Sequence, residues 1–240
     1  MAEEEGVVLS VRGEAQQTVA PDAVVLAGGI AVWADSKLDA LARAGSALDR
    51  LTAELSELGG SALTVGSERS VLTWSAFSAT THAERAHNND TGRHELTGRV
   101  LATVAVGVAV RDFALLDRLG RVFGHHEGFN VHQVTWQVDD DNPGWSTVRN
   151  EAIQAALRKG RDYAAALDVS LVRVEHVADT GLLGGTGASP RAPRRLSAAA
   201  AAGGGRGGDD EDTPALDPVP QELSAVIEAR FRTTPAALPA

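Results

Sequence analysis

Residues 100–110 read Val-Leu-Ala-Thr-Val-Ala-Val-Gly-Val-Ala-Val. By the two-residue period of a strand, Val100, Ala102, Val104, Val106, Val108 and Val110 share one face. Leu101, Thr103, Ala105, Gly107 and Ala109 form the other, and all are small or apolar, so that face is expected to be covered too. Such a strand belongs at the centre of a sheet or in a subunit interface. Eleven residues containing Thr103 are too few for a membrane helix, which needs about 20.

The neighbours of that strand follow from turn chemistry and periodicity. Residues 69–82 and 95–110 are extended runs. The stretch 84–92 between them, with Asn88-Asn89-Asp90-Thr91-Gly92, is rich in turn formers, so the pair reads as a long hairpin. Upstream, residues 7–11 form a first strand ending at Arg12-Gly13-Glu14. A second run over 18–33 opens at Pro21-Asp22, and Gly28-Gly29 within it predicts a bulge or a close backbone approach. Leu38, Leu41, Gly45, Leu48, Thr52, Leu55 and Leu58 recur at three- and four-residue steps, which predicts a helix over 36–58 with those residues on its inner face. Ser36 and Asp39 resemble a capping box, and Gly59-Gly60 ends the helix. At that length it spans roughly 34 Å.

Further along, a short helix over 112–123 turns Leu115, Leu116, Leu119 and Phe123 inward. Residues 130–138 are a strand. Asn142 and Pro143 suit the cap and first position of a helix that runs to Leu167, with Val148, Ala152, Ala155, Ala156 and Leu167 on its apolar side. Residues 169–177 are a strand. From 181 to 217 the composition changes: runs of Ala, Gly and acidic residues have no face to bury, so the segment cannot offset its ordering entropy. Leu223, Ala225, Ile227, Ala229 and Phe231 then alternate in a last strand, expected to return to the main sheet. The resulting organisation is a disordered N-terminus at 1–6, an α+β domain at 7–182, a low-complexity disordered insertion at 183–217, a strand at 218–233 completing the domain, and a tail at 234–240. The fold class is α+β: an antiparallel-rich mixed sheet with about three helices packed on it.

Composition narrows the function classes. The chain has no Cys, so disulfides, thiolate metal sites and a Cys nucleophile are excluded. A net charge of −10 argues against nucleic acid as the main partner, because phosphate contacts need a positive face. The first five residues are Met-Ala-Glu-Glu-Glu, neither basic nor apolar, so no secretory leader is read and a cytoplasmic location is expected.

Several short motifs in fixed order resemble the SIMPL domain family, whose members include bacterial periplasmic immunogenic proteins. Val11-Arg12-Gly13-Glu14-Ala15 followed by Val19-Ala20-Pro21-Asp22-Ala23 looks like the family's opening. Leu58-Gly59 closes the Leu-rich helix at the matching place. Glu151-Ala152, Ala155 and the run 159–167 are similar to its Ala- and Lys-rich helix, and Ala178-Asp179-Thr180-Gly181-Leu182 and the strand near 226–231 fit a cytoplasmic branch. The resemblance covers residues 7–182 and 220–232. Where the family often has Gly-Tyr, this chain has Gly98-Arg99, so the contact of that aromatic is expected to be missing. The resemblance implies helices on an antiparallel-rich sheet and, as in some members, ring-like or other homo-oligomers, and it implies no catalytic residue.

Candidate chemistry is thin. His82, His87 and His94 flank the hairpin turn, and His125-His126 sit beside Glu127. Imidazole and carboxylate together suit a divalent ion, but spacings of five and seven match no compact ligand motif. Asp139-Asp140-Asp141-Asn142 lacks the glycine and distal Glu of an EF-hand loop and is better placed as acids before a helix N-terminus. There is no Gly-x-Ser-x-Gly elbow, and residues 203–208 lack the Lys-Ser/Thr end of a phosphate loop. Trp33, Trp74, Trp136 and Trp145 are read as core or interface anchors. Arg194-Arg195-Leu196-Ser197 resembles a kinase site.

The sequence therefore predicts a non-enzymatic homo-oligomer with a structural, scaffolding or stress-related interaction role. Its expected partners are other copies of itself and a further protein bound through 183–217, with no nucleic acid and no membrane span. No catalytic, cofactor-binding or metal-ligating residue is assigned, and no cofactor. The alternative is a small-molecule or divalent-metal binding protein using the hairpin histidines, in which changing His82, His87 and His94 together abolishes binding.

Overall fold

A computed structural model describes residues 6–66, 69–88, 92–182 and 216–235. Residues 183–215 of the predicted insertion, Ser197 among them, and the centre of the hairpin turn at 89–91 lie outside these residues. The elements are β1 (Val8–Val19), β2 (Ala23–Ala34), α1 (Lys37–Glu57), β3 (Ser61–Ala62), β4 (Leu72–Asn88), β5 (Arg93–Val110), α2 (Leu116–His125, entered through a 3₁₀ turn at Phe113–Leu115), β6 (Phe129–Gln137), α3 (Pro143–Ala166), β7 (Leu171–Asp179) and β8 (Gln221–Thr233). The class is α+β with three helices among the described residues, as the sequence predicts, but the strands form two sheets in two compact units.

One unit holds β1, β7, β8 and α3. Its antiparallel sheet has the order β1-β8-β7, and β1 pairs with β8 from Val8↔Arg232 to Val19↔Gln221. The alternation in β8 buries Leu223, Ile227, Ala229 and Phe231, and Val11 of β1 joins them. Onto this face α3 lays Gly144, Val148, Ala152, Ala156, Gly160 and Ala164, one residue per turn and all but one Gly or Ala. Such small residues let a helix axis come close to a sheet. The helix begins as its sequence requires: Asn142 Oδ1 accepts from Gly144 N at 2.8 Å, and Pro143 takes the first turn. It ends at Asp168, whose φ of 53° reverses the chain. Leu167, expected inside, is exposed beyond the last turn.

The opposite face of this sheet is charged. Arg12 pairs with Glu228 at 3.3 Å, and Glu175 accepts from Arg232 at 2.7 Å and from Arg173 at 3.5 Å. The hydrogen bond from Arg232, aided by both guanidinium charges, holds the Glu175 carboxyl below its ordinary 4.5. A depressed carboxyl contributes stability in full above about pH 4.5, and that contribution is lost as pH falls through the lowered native value. Arg232→Gln is expected to raise the Glu175 titration midpoint toward 4.5, read by carboxyl-carbon NMR. An unmoved midpoint would contradict the assigned cause.

The closing strand thus joins this smaller sheet and not the one containing residues 100–110. Its partner is β1, which continues past the predicted end at 11 to Val19. The polar residues Glu14, Gln16 and Thr18 disguise that continuation because they face away from the core while the pairing goes on.

The other unit carries the five-stranded sheet β3-β4-β5-β2-β6, antiparallel except for the short β3–β4 pair. The doubly apolar strand is central, with β2 on one side and β4 on the other. Ala102, Val104, Val106, Val108 and Val110 are buried with Val24, Leu26 and Ile30 of β2 and with Leu51 and Leu55 of α1. Leu101, Thr103, Ala105, Gly107 and Ala109, expected to be covered, are half-buried. Gly28 does what its position predicts: the β2–β6 register slips between Ala27 and Gly28, and a Cβ there would lie 2.6 Å from Asn130 O and 2.7 Å from the Phe129 ring.

The sequence mislocates the inner face of α1. Ser36 caps it as predicted, accepting from Asp39 N at 3.1 Å. The buried residues are Ala40, Ala44, Ala47, Leu51 and Leu55, while Leu38 is 79% exposed. Size alone picks out the leucines, but the first turns meet the sheet through alanines, one residue and about 100° away on the helix.

Candidate functional site

The feature that stands apart from the core of its own unit is the far part of the β4–β5 hairpin. β2 accompanies β5 only from Val24↔Val110 to Ala34↔Val100. Residues 93–96 pair with β4 alone and 97–99 bulge between that pairing and the main sheet, so a two-stranded ribbon runs roughly 24 Å past β2. At its root the register slips between Ala83 and Arg85, and Gly98 on the facing strand takes φ +88°. Thr97 Oγ1 donates to Glu84 Oε2 at 2.7 Å and accepts from Arg99 N at 3.2 Å, which fixes the slip. Arg99, standing where the family resemblance leads one to expect tyrosine, places its guanidinium 5.1 Å from the Trp33 ring centroid. A cation–π contact thus occupies the position of the missing aromatic.

The hairpin histidines part company on this ribbon. His87 lies directly opposite His94, with ring centroids 5.3 Å apart and planes at 61°. His82 lies opposite Leu101, on the other side of the register slip. His125 and His126 point apart: His125 Nδ1 sits 2.8 Å from Arg121 O, whereas His126 is buried edge-on to Phe129, with neither ring nitrogen bonded among the described residues. No group of three or more His, Asp or Glu that could hold a metal occurs among the described residues.

The remaining candidates have structural positions. Trp74 and Trp136 pack against the larger core, Trp136 edge-on to Phe113 at 5.4 Å. Trp145 donates from Nε1 to Asp139 O at 3.0 Å and carries Arg149 over its ring at 5.6 Å. The acidic loop before α3 is tied by Asn142 N to Asp139 O at 3.1 Å. No described helix is long and apolar enough to cross a membrane.

Residues 9–231, spanning both sheets and all three helices, match the SIMPL family, described as a protein of unknown function (DUF541). The chain belongs to the SIMPL family. The match starts inside β1 and ends inside β8, the two strands that pair to build the smaller sheet of this SIMPL protein. No curated protein matches it. Sequence reasoning lists the three hairpin histidines but does not see that two of them oppose each other. The signal is there: pairing Asn88 with Arg93 around the turn sets His87 against His94.

Proposed function

We propose that this SIMPL protein works without catalysis, as a self-assembling structural or scaffolding protein whose copies join along the outer edge of β4. The observation that supports the reading is that edge itself. β3 pairs only with Thr73 and Trp74, so residues 75–87 of β4 face no strand among the described residues on that side. Residues 75–83 read Ser-Ala-Phe-Ser-Ala-Thr-Thr-His-Ala, with no Lys, Glu or Pro to blunt them. Exposed edges are normally protected by such residues or by bulges; past the bulge at Phe77 the run from Ser78 to Ala83 is regular and open to a strand from another chain. Phe77 stands 66% exposed on this stretch. A two-stranded ribbon is marginally stable alone, which adds a reason for a covering chain. A second copy suits because the uncharged run meets itself in antiparallel pairing with no like-charge contact.

Light scattering behind a sizing column is expected to give a native mass at least twice the 25.0 kDa chain, with the same number of chains per assembly when residues 183–217 are deleted. Ser78→Lys with Thr80→Lys is expected to return it to 25.0 kDa, by placing charge on the edge. A monomeric wild-type chain at high concentration would end the reading. A cytoplasmic location, a stress-related role and a further protein partner at 183–217 belong to the same proposal. Cell fractionation and pull-down with and without that segment test the first and last of them.

A further inference from the structure

We propose that His87 and His94 form a two-imidazole chelate for a divalent transition-metal ion of the copper, nickel and zinc group, at the outer part of the β4–β5 ribbon. The two residues are directly opposed across the antiparallel pair, and both side chains are exposed. Opposed residues have Cβ atoms about 4.5–5.5 Å apart on the same face, close enough for two imidazoles to reach one ion.

The ring spacing fits that ion. An imidazole nitrogen binds zinc at about 2.0–2.1 Å, and with about 1.2 Å more to the ring centre each centroid lies about 3.2 Å from the metal. At a tetrahedral angle two such centroids are about 5.2 Å apart. The observed separation is 5.3 Å. Rotation about side-chain bonds is then all that is needed to turn a nitrogen of each ring onto the ion, and the backbone pairing already supplies the rest of the preorganisation.

The surroundings set the strength. Arg85 and Leu96 form the next opposed pair two residues toward the root and share the histidines' face, while Glu95, Ala86 and Arg93 alternate to the other. Among the described residues Arg85 is therefore the one cation on that face near the pair, and it opposes binding, against a chain whose net charge of −10 favours cations overall. With no third protein ligand among the described residues, water fills the remaining positions and binding is reversible. Copper(II) should bind most tightly, ahead of nickel and zinc, by the usual order for nitrogen ligands. His82 takes no part, since the register slip at the Gly98 bulge sets it opposite Leu101. This site stands whether or not the chain self-assembles.

Calorimetric titration of the full, tag-free chain with copper(II) and with zinc(II) tests it. The expected result is one saturable ion per chain. His87→Ala and His94→Ala should each weaken binding at least about tenfold, since even losing a partner behind a ligand costs that much. His82→Ala should leave it unchanged. All three positions are exposed, and an unchanged far-ultraviolet circular dichroism spectrum certifies the fold of each variant. Absence of saturable binding, binding that survives either single change in the pair, or equal loss in His82→Ala would overturn the proposal.

Discussion

Gly13→Ala is expected to destabilise the three-stranded unit by more than about 3 kcal/mol, although it adds a single methyl group. Gly13 sits in β1 opposite Ile227, on the face covered by α3. A Cβ built there falls on the carbonyl oxygen of Ala152, 2.7 Å from Ala156 N and 2.9 Å from Ala156 Cβ. Two of the three obstacles are backbone atoms, which no rotamer change can move. Overpacking that side chains can absorb costs about 1–3 kcal/mol. Here strand and helix must separate along the stripe Ala152–Ala156, loosening contacts made by its neighbours, so the upper end is the starting point. Against a total stability of about 5–15 kcal/mol that is a large fraction. Gly45→Ala in α1 supplies the contrast: nothing lies within 4 Å of its added methyl, and the helix should gain about 0.5–1 kcal/mol. Urea denaturation gives both differences, and hydrogen exchange should place the loss from Gly13→Ala in β1, α3 and β8. A Gly13→Ala chain as stable as the wild type would show that α3 does not approach β1 this closely.

What was legible in the sequence was whatever depended on local chemistry. Ser36, Asn142 and Pro143 marked helix starts because a cap satisfies backbone donors within a few residues of itself. Gly28 marked the close approach of β6 to β2, where β6 carries the extra residue, and the valines of β5 marked the central strand, because alternation records burial directly. The assignment of strands to two sheets was not legible. β1 and β8 lie more than 200 residues apart, and nothing in either alternation says which apolar face the other will complete. Gly13 carried the same difficulty: in sequence it read as the end of a strand, whereas it is an interior position emptied so that α3 can lie against it. In the ribbon, the turn residues announced the hairpin, but the slip at Gly98 decided which histidines meet, and that slip depends on the Thr97–Glu84 hydrogen bond between strands.

The helix α1 offers the second large effect and a direct test of why size misled there. Leu38 and Leu55 belong to the same leucine stripe in sequence, yet Leu55 is fully buried and Leu38 is 79% exposed. Leu55 packs in the larger core with Leu51, Leu26, Ile30 and the valines of β5, so Leu55→Ala removes buried methyl groups and leaves a cavity that a sheet-backed core cannot close. The expected loss is about 2–5 kcal/mol. Leu38→Ala removes side-chain atoms already in water and gains helix propensity, so its effect should stay within about 0.5 kcal/mol. Ala40→Leu sharpens the comparison: it puts a large side chain where the helix meets the sheet, at a fully buried position, and overpacking should cost about 1–3 kcal/mol even though it makes the helix more hydrophobic. Chemical denaturation of the three variants measures all of this in one series. If Leu38→Ala and Leu55→Ala cost the same, the inner face follows the leucines. If the order is Leu55→Ala, then Ala40→Leu, with Leu38→Ala near zero, the alanines are the residues that seat α1 on its sheet.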